Sequence, residues 1–455
     1  MLDQLQSTLE FIDGKLWGDW LMFVLLGVGV LYTIVTGAVQ VRHFGYIIKK
    51  TLWEPIRGKK NGEEDAGGIT SFQALCTAVA SCVGSGNIVG VSTAVVAGGL
   101  GAIFWMWVAA FVGMATKYSE IVLGLLYRER NEQGQWVGGP MYYIKKGLHA
   151  PWLAVLCALF MVTQIIGGNF IQSNTISGVM NQSFGVAPLV TGIVLVALIF
   201  IVTLGGLHRL AHVAQKLVPT MALLYVVGGL IIILINAPKV PGVFVEIFQS
   251  AFGLRAMAGG AMGSMIIAMQ KGVARGLYSN EAGEGSAPVI HSSANVKHPV
   301  QQGMTGVTEV FLDTFVICTI TGLVLGVTGV IGSGVPDNVL AINAFATVWE
   351  PLSYLVSVCL LLFSSTTLMS QWYFGFVGLN YVFGAKVADK FKYVFPAFCI
   401  IGALLKVEMV WTIQDIALAL LTIPNLIAMI VLFPKVRKAT REFFSDPELY
   451  EGARR

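Results

Sequence analysis

Val83-Gly84-Ser85-Gly86-Asn87-Ile88-Val89-Gly90 stands in the middle of an otherwise apolar segment, and how it is read decides the fold. Each of its glycines weakens a helix by about 1 kcal/mol relative to alanine. Asn87 adds an amide that needs hydrogen-bond partners. In water such a stretch would be an ordinary turn, but the composition says that the surroundings are not water. Of 455 residues, 55% are hydrophobic and only 12% are charged, with a mean hydropathy of +0.74. Soluble domains carry about 25% charged residues, so this chain has too few to cover a wetted surface. Disorder is excluded too, because it needs low hydrophobicity and high charge. The 52 glycines lack the period of three that collagen requires. A net charge of +4 is too mild and too dispersed for a nucleic-acid partner. Cys76, Cys82, Cys157, Cys318, Cys359 and Cys399 form no CxxC pair, so they are expected as small packing residues rather than disulfides or zinc ligands. What remains is a polytopic membrane protein with an interrupted helix. At membrane depth, freed backbone groups are tolerated only where they are buried in protein or line a wet cavity.

A spanning helix needs about 20 mostly apolar residues. Eleven segments meet that need, near 18–40, 69–96, 100–127, 151–180, 187–206, 214–236, 255–280, 301–332, 350–380, 393–407 and 410–433, with a short amphipathic piece near 242–252. Residues 1–17 are acidic and lack the basic start of a cleavable signal. Most of the 29 lysines and arginines fall in alternate loops: 42–66, 128–149, around Arg209 and Lys216, from Lys271 to Lys297, from Lys386 to Lys392, and in the tail. The positive-inside rule puts those loops in the cytoplasm. The N-terminus is then outside and the C-terminus inside, which is the parity that eleven spans require.

A second glycine cluster, Gly-Gly-Ala-Met-Gly-Ser-Met at Gly259–Met265, opens the seventh span. Either cluster alone would serve for close helix packing through small residues. Together they open two five-helix blocks, 69–236 and 255–433, and an odd count gives the blocks opposite orientations. Inverted repeats with interrupted helices in matching places are the mark of secondary transporters. The expected organisation is an extra helix and loop over 1–66, a first repeat over 67–240, a second over 241–433 and a cytoplasmic tail over 434–455.

The segment GGLGAIFWMWVAAFVG, Gly98 to Gly113, resembles the signature of the alanine or glycine:cation symporter family. FQALCTAVASCVGSGNIVG, VGGPMYYI and NEAGEGSAP (Asn280 to Pro288) resemble it as well, so the likeness runs through most of the chain. The resemblance implies a sodium-coupled carrier for small neutral amino acids, alanine or glycine, in the plasma membrane. It implies an all-α, leucine-transporter-type fold of ten core helices in two inverted fives, plus one extra N-terminal helix. Sodium would be co-transported, and no organic cofactor is implied.

A zwitterion asks for N–H donors or a positive helix end at its carboxylate, oxygens at its ammonium, and a wall of fixed size at its side chain. Ser85 and Gly86 sit at the expected break and offer amides to the carboxylate. The resemblance turns Asn87 and the carbonyls of Ala80, Cys82 and Val83 toward sodium, with Thr77 as a polar lining residue. In the seventh span Ile266, Met269 and Gln270 are expected at the substrate, although Gln270 would serve equally as an interhelical hydrogen-bonder. In the fourth span Asn169 and Gln172 share a face, and Asn169 is the preferred substrate contact. The hydroxyl run Ser364-Ser365-Thr366-Thr367 either ligates sodium or bonds back to its own helix. The resemblance favours sodium, with Ser364 and Ser365 as the pair. Trp372 either closes the pocket or belongs to an interfacial belt.

Lys117 and Glu120, three apart in the third span, are expected to pair with each other. Arg275, Asn280, Glu281 and Glu284 are grouped at the cytoplasmic end of the seventh span, as an inner gate or a solvated loop. Three rival functions are weaker. A channel would need a filter repeated around an axis, an ATP-driven pump would need a P-loop, and an enzyme would need a nucleophile or acid–base cluster in a span. Proton coupling in place of sodium stays open.

Overall fold

A computed structural model describes residues 2–58, 68–253 and 263–450. The described chain is almost wholly helical; the one sheet is the two-stranded hairpin of Glu129–Arg130 and Trp136–Val137. The principal helices in chain order are α1 (Leu2–Leu16), α2 (Asp19–Val35), α3 (Ser71–Cys82), α4 (Val89–Gly98), α5 (Gly101–Tyr127), α6 (Pro140–Gly147), α7 (Pro151–Phe184), α8 (Pro188–Thr203) and α9 (Gly206–Ile235). They continue as α10 (Val240–Ala251), α11 (Gly263–Asn280), α12 (Ala287–His291), α13 (Pro299–Thr328), α14 (Pro351–Phe383), α15 (Ala385–Val394), α16 (Phe398–Leu404) and α17 (Val407–Ser445). Within α13 the turns over Phe311–Cys318 widen to a π-helix.

Among the described residues, 7 helices are long and apolar enough to cross a membrane, and the bent pair Ser71–Cys82 and Ser85–Gly98 makes an eighth. Three expected spans look different. Helix α8 has 16 residues, below the usual spanning length. The seventh span begins among residues outside the described set. The stretch 393–407 is cut by a 3₁₀ turn at Phe395–Ala397, where Pro396 cannot continue the helix ladder.

The molecule is arranged inside out relative to a soluble domain. Leu189, Ile193, Val194, Leu223, Leu234 and Val431 face outward, while Thr77, Lys117, Glu120, Asn169, Gln172, Glu309 and Asp313 are buried. Burial of so many polar groups is stable only when they bond one another. Small residues let the helices approach closely enough to do so. A methyl at Gly402 would lie 2.6 Å from Phe170 Cα, and one at Gly192 would lie 3.1 Å from Ile400 Cα.

The ends of the broken region are tied together. The Ile69 N–H donates to Ser293 O and the Asn295 N–H to Ile69 O, both at 2.9 Å. Arg128 donates to Ser292 O at 2.9 Å and Ala294 O at 2.7 Å. It thereby places a cation at the C-terminal end of α12, the end that favours one.

Candidate functional site

Helix α3 starts on a capping box, with Thr70 Oγ1 accepting from the Gln73 N–H and Gln73 Oε1 from the Thr70 N–H, both at 3.1 Å. It stops at Cys82, because Val83 turns extended and Gly84 follows at φ −139°, ψ −147°. One 3₁₀ turn, Ser85–Asn87, leads into α4, and the two halves are bent by 59°. Opened backbone is therefore held by side chains. Asn87 Oδ1 accepts from the Gly84 N–H at 2.9 Å, and Gln172 Oε1 from α7 accepts from the Ser85 N–H at 3.1 Å. Thr367 from α14 brings its hydroxyl to the Ala80 carbonyl at 3.0 Å and the Val83 carbonyl at 3.4 Å, while also bonding Phe363 O at 3.0 Å. Thr321 donates to Asn87 O at 2.8 Å. A methyl at Gly84 would lie 2.6 Å from Thr367 Oγ1, so only glycine lets these elements close on each other.

A second break faces the first, at residues 281–286. Residues 259–262 lie outside the described set, and from Gly263 the chain is helical without interruption to Asn280. The chain leaves the helix at 281–286, where Glu281 (φ 54°), Gly283 (φ 91°) and Gly285 (φ 94°) are left-handed. Glycine adopts that region freely, whereas a glutamate does so at a cost of roughly 1–2 kcal/mol. Side chains hold Glu281 there: Ser286 Oγ donates to its Oε2 at 2.7 Å, and Ser81 of α3 donates at 3.3 Å. Helix α11 packs on α4, and α12 packs on α3. A methyl at Gly86 would lie 3.0 Å from the Tyr278 ring, so the first break touches the last turn of α11, just before the second.

Buried charge gathers where they meet. Asp313 accepts from Asn87 Nδ2, from Ser279 Oγ at 2.9 Å and from Thr314 Oγ1 at 2.8 Å. Lys117 does not pair with Glu120. It forms a direct ion pair with Glu309 and donates to Asn280 O, the last carbonyl of α11, at 2.7 Å. Glu120 instead accepts from the Gly283 N–H at 3.3 Å and Asn425 Nδ2 at 3.1 Å. His291 Nε2 lies 3.2 Å from the other oxygen of Glu309.

Arg275 sits apart from Glu281 and Glu284. It meets Asp415 of α17 through two bonds of 2.8 and 2.9 Å, and its guanidinium lies 4.3 Å from the Trp411 ring centre. Trp411 in turn meets Tyr278 edge-on at 5.1 Å. The Trp17 Nε1–H donates to Asp415 O at 2.6 Å, so this assembly belongs to the face that carries the N-terminus.

Of the sequence-derived candidates, Ala80, Cys82, Val83, Ser85, Gly86 and Asn87 lie together at the first break. Thr77 is buried one turn earlier on α3 and bonds back to Gln73 O at 2.7 Å. Gln172, rather than Asn169, reaches the break; Asn169 turns its Nδ2 to Phe395 O at 3.3 Å. Thr367, rather than Ser365, meets the α3 carbonyls. Residues two apart on a helix point to opposite sides, and Ser365 is only partly buried. Ser364 shares the Thr367 side and its hydroxyl is buried. Ile266 is 42% exposed. Met269 and Gln270 are partly buried on α11, about 12 Å of helix rise from Tyr278. Trp372 is buried beside Phe376, at 5.6 Å between ring centres. The sequence signal for Glu309 and Asp313 was available: two acids inside an apolar span mark a site by default.

Residues 2–451 match the model of the sodium:alanine symporter family. An uncharacterised transporter of Haemophilus influenzae is 41% identical over 453 residues, covering 97% of this chain and 96% of its own. The sodium/alanine symporter AgcS of Methanococcus maripaludis is 37% identical over 446 residues, covering 96% and 97%. Among solved structures, a point mutant of the Eremococcus coleocola manganese transporter shares the fold, with a TM-score of 0.53 over 83% of this chain and 79% of that one, at 13% identity. The chain belongs to the sodium:alanine symporter family, whose members are membrane transporters and not enzymes.

Proposed function

We propose that the protein couples sodium entry to uptake of a small neutral amino acid, alanine or glycine, by alternating access across the plasma membrane. The observation that carries this reading is the hydroxyl of Thr367 lying between the freed carbonyls of Ala80 and Val83. Uncharged hard oxygens from an unwound helix suit a weakly held, exchangeable sodium ion. Phe363 O and the buried Ser364 hydroxyl complete the donor set from α14. The Cys82 carbonyl and Asn87, with Asp313 behind it, offer a second cation position beside the substrate.

The amino-acid carboxylate takes the N–H groups of Ser85 and Gly86, displacing the Gln172 amide from Ser85. Its ammonium is drawn to the negative side of the site at Asp313. The side chain faces Tyr278, which approaches Gly86 closely and walls the site on that side. Thr77 and Trp372 form outer walls, and Met269 and Gln270 line the approach, with Ile266 at its rim. The Arg275–Asp415 pair closes the face that carries the N-terminus, so Arg275, grouped by sequence with the cytoplasmic residues, is assigned instead to the outer side. Eleven spans, ten of them in two inverted fives bounded near 67–240 and 241–433, give the two breaks equivalent roles. The name of the Methanococcus maripaludis relative supports the alanine assignment.

Uptake of labelled alanine into proteoliposomes tests the reading. It should require an inward sodium gradient, and counterflow against a panel of amino acids should favour alanine and glycine. Equal uptake with choline in place of sodium would overturn the sodium assignment. Proton coupling is the second reading, favoured by the buried carboxyl groups at the second break.

A further inference from the structure

Five carboxyl groups are buried around the second break: Glu120 on α5, Glu281 and Glu284 in the 281–286 loop, and Glu309 and Asp313 on α13. The basic groups that face them are Lys117 and His291, and both are engaged by Glu309. Glu120, Glu281 and Asp313 are each met by hydrogen-bond donors, as described above. Tyr32 of α2 and Tyr143 of α6 also border Glu120, with hydroxyls bonded to Met429 O at 2.7 Å and to Asn425 Oδ1.

Glu284 is different. It is 1% exposed, and its Oε1 has no hydrogen-bond partner. It stands one residue from the Gly283 N–H that touches Glu120, and three residues from Glu281. An ionised carboxylate left without donor or cation in a protein interior costs several kcal/mol. Carboxyl groups sharing one site also do not all ionise together.

We propose that Glu284 is a proton-binding site: its carboxyl is carried as the neutral acid while the 281–286 loop lies folded against Glu120, and the proton passes to water when the loop moves out. The second break then has a proton as a ligand of its own, and its opening is linked to pH. This goes beyond the sodium reading and stands without it, because the proton is bound by the loop whether or not sodium drives transport.

Infrared pH titration of the full chain in lipid nanodiscs tests it. The carbonyl stretch of a neutral carboxylic acid should persist in the wild-type protein well past the pH range in which free glutamate loses it. Glu284→Gln should remove that band while keeping the fold, since the amide has the shape of the neutral acid. An undiminished band in Glu284→Gln overturns the proposal. Glu281→Gln provides the second arm: with the neighbouring carboxylate gone, the same band should be lost at a pH lower by about one unit or more. A band that titrates where it does in the wild type overturns the proposed pairing of the two groups. Neither arm depends on transport, so failure of sodium-driven uptake would be read separately.

Discussion

Replacing Thr367 with valine removes one oxygen and leaves the shape of the side chain nearly intact. The hydroxyl has two roles. Without the ion it bonds the carbonyls of Ala80 at 3.0 Å and Val83 at 3.4 Å. With the ion, in the proposed site, it is a direct ligand. A hydrogen-bonding group facing a charge contributes about 1.5–3 kcal/mol, and a neutral bond about 0.5–1.5 kcal/mol. The valine variant loses the first term in the bound state and the second in the free state. The two losses oppose each other in the binding equilibrium. Their difference, about 1–2 kcal/mol, corresponds to a roughly 5- to 30-fold rise in the sodium concentration for half-maximal uptake. The assay is initial alanine uptake in proteoliposomes across a sodium series, with Ser365→Ala as the comparison, since Ser365 points to the opposite side of α14. A sodium dependence unchanged in Thr367→Val, or shifted equally in Ser365→Ala, would refute the assignment.

Lys117→Met should leave Glu309 buried beside His291 alone, at a cost of about 3–5 kcal/mol. Thermal melting followed by size-exclusion chromatography should show a strongly destabilised protein, and adding Glu309→Leu should recover most of the loss. Gly84→Ala puts a methyl 2.6 Å from Thr367 Oγ1 and 3.0 Å from Gln172 Nε2. Overpacking of about 1–3 kcal/mol at that point should reduce uptake by about tenfold or more, whereas Gly27→Ala, with nothing within 4 Å, should transport normally.

The first break was legible because glycines and an asparagine interrupt an apolar run. The second was hidden, since Glu281 and Glu284 alternate with its glycines and in a bare sequence look like a solvated loop. The richer glycine cluster at 259–265 drew attention instead, yet its described part lies in continuous helix. Within the hydroxyl run of α14 composition could not choose among four neighbours; the rotation of the helix about its axis chose Thr367. The same holds for Gln172 over Asn169 on α7. Lys117 and Glu120 have the spacing of a helical pair, but spacing says nothing of Glu309, which arrives from a distant helix and takes the lysine. Long-range partners such as Arg275 and Asp415 are products of the fold, and no local pattern announces them.

The central claim is that sodium and the amino acid bind at one place, where two opened helices meet. Titration calorimetry of alanine onto the purified protein, with sodium present and with choline in its place, tests it most directly. Linkage requires that sodium tighten alanine binding by the same factor as alanine tightens sodium binding, a factor expected to be roughly 5–150. An alanine affinity indifferent to sodium would contradict the account.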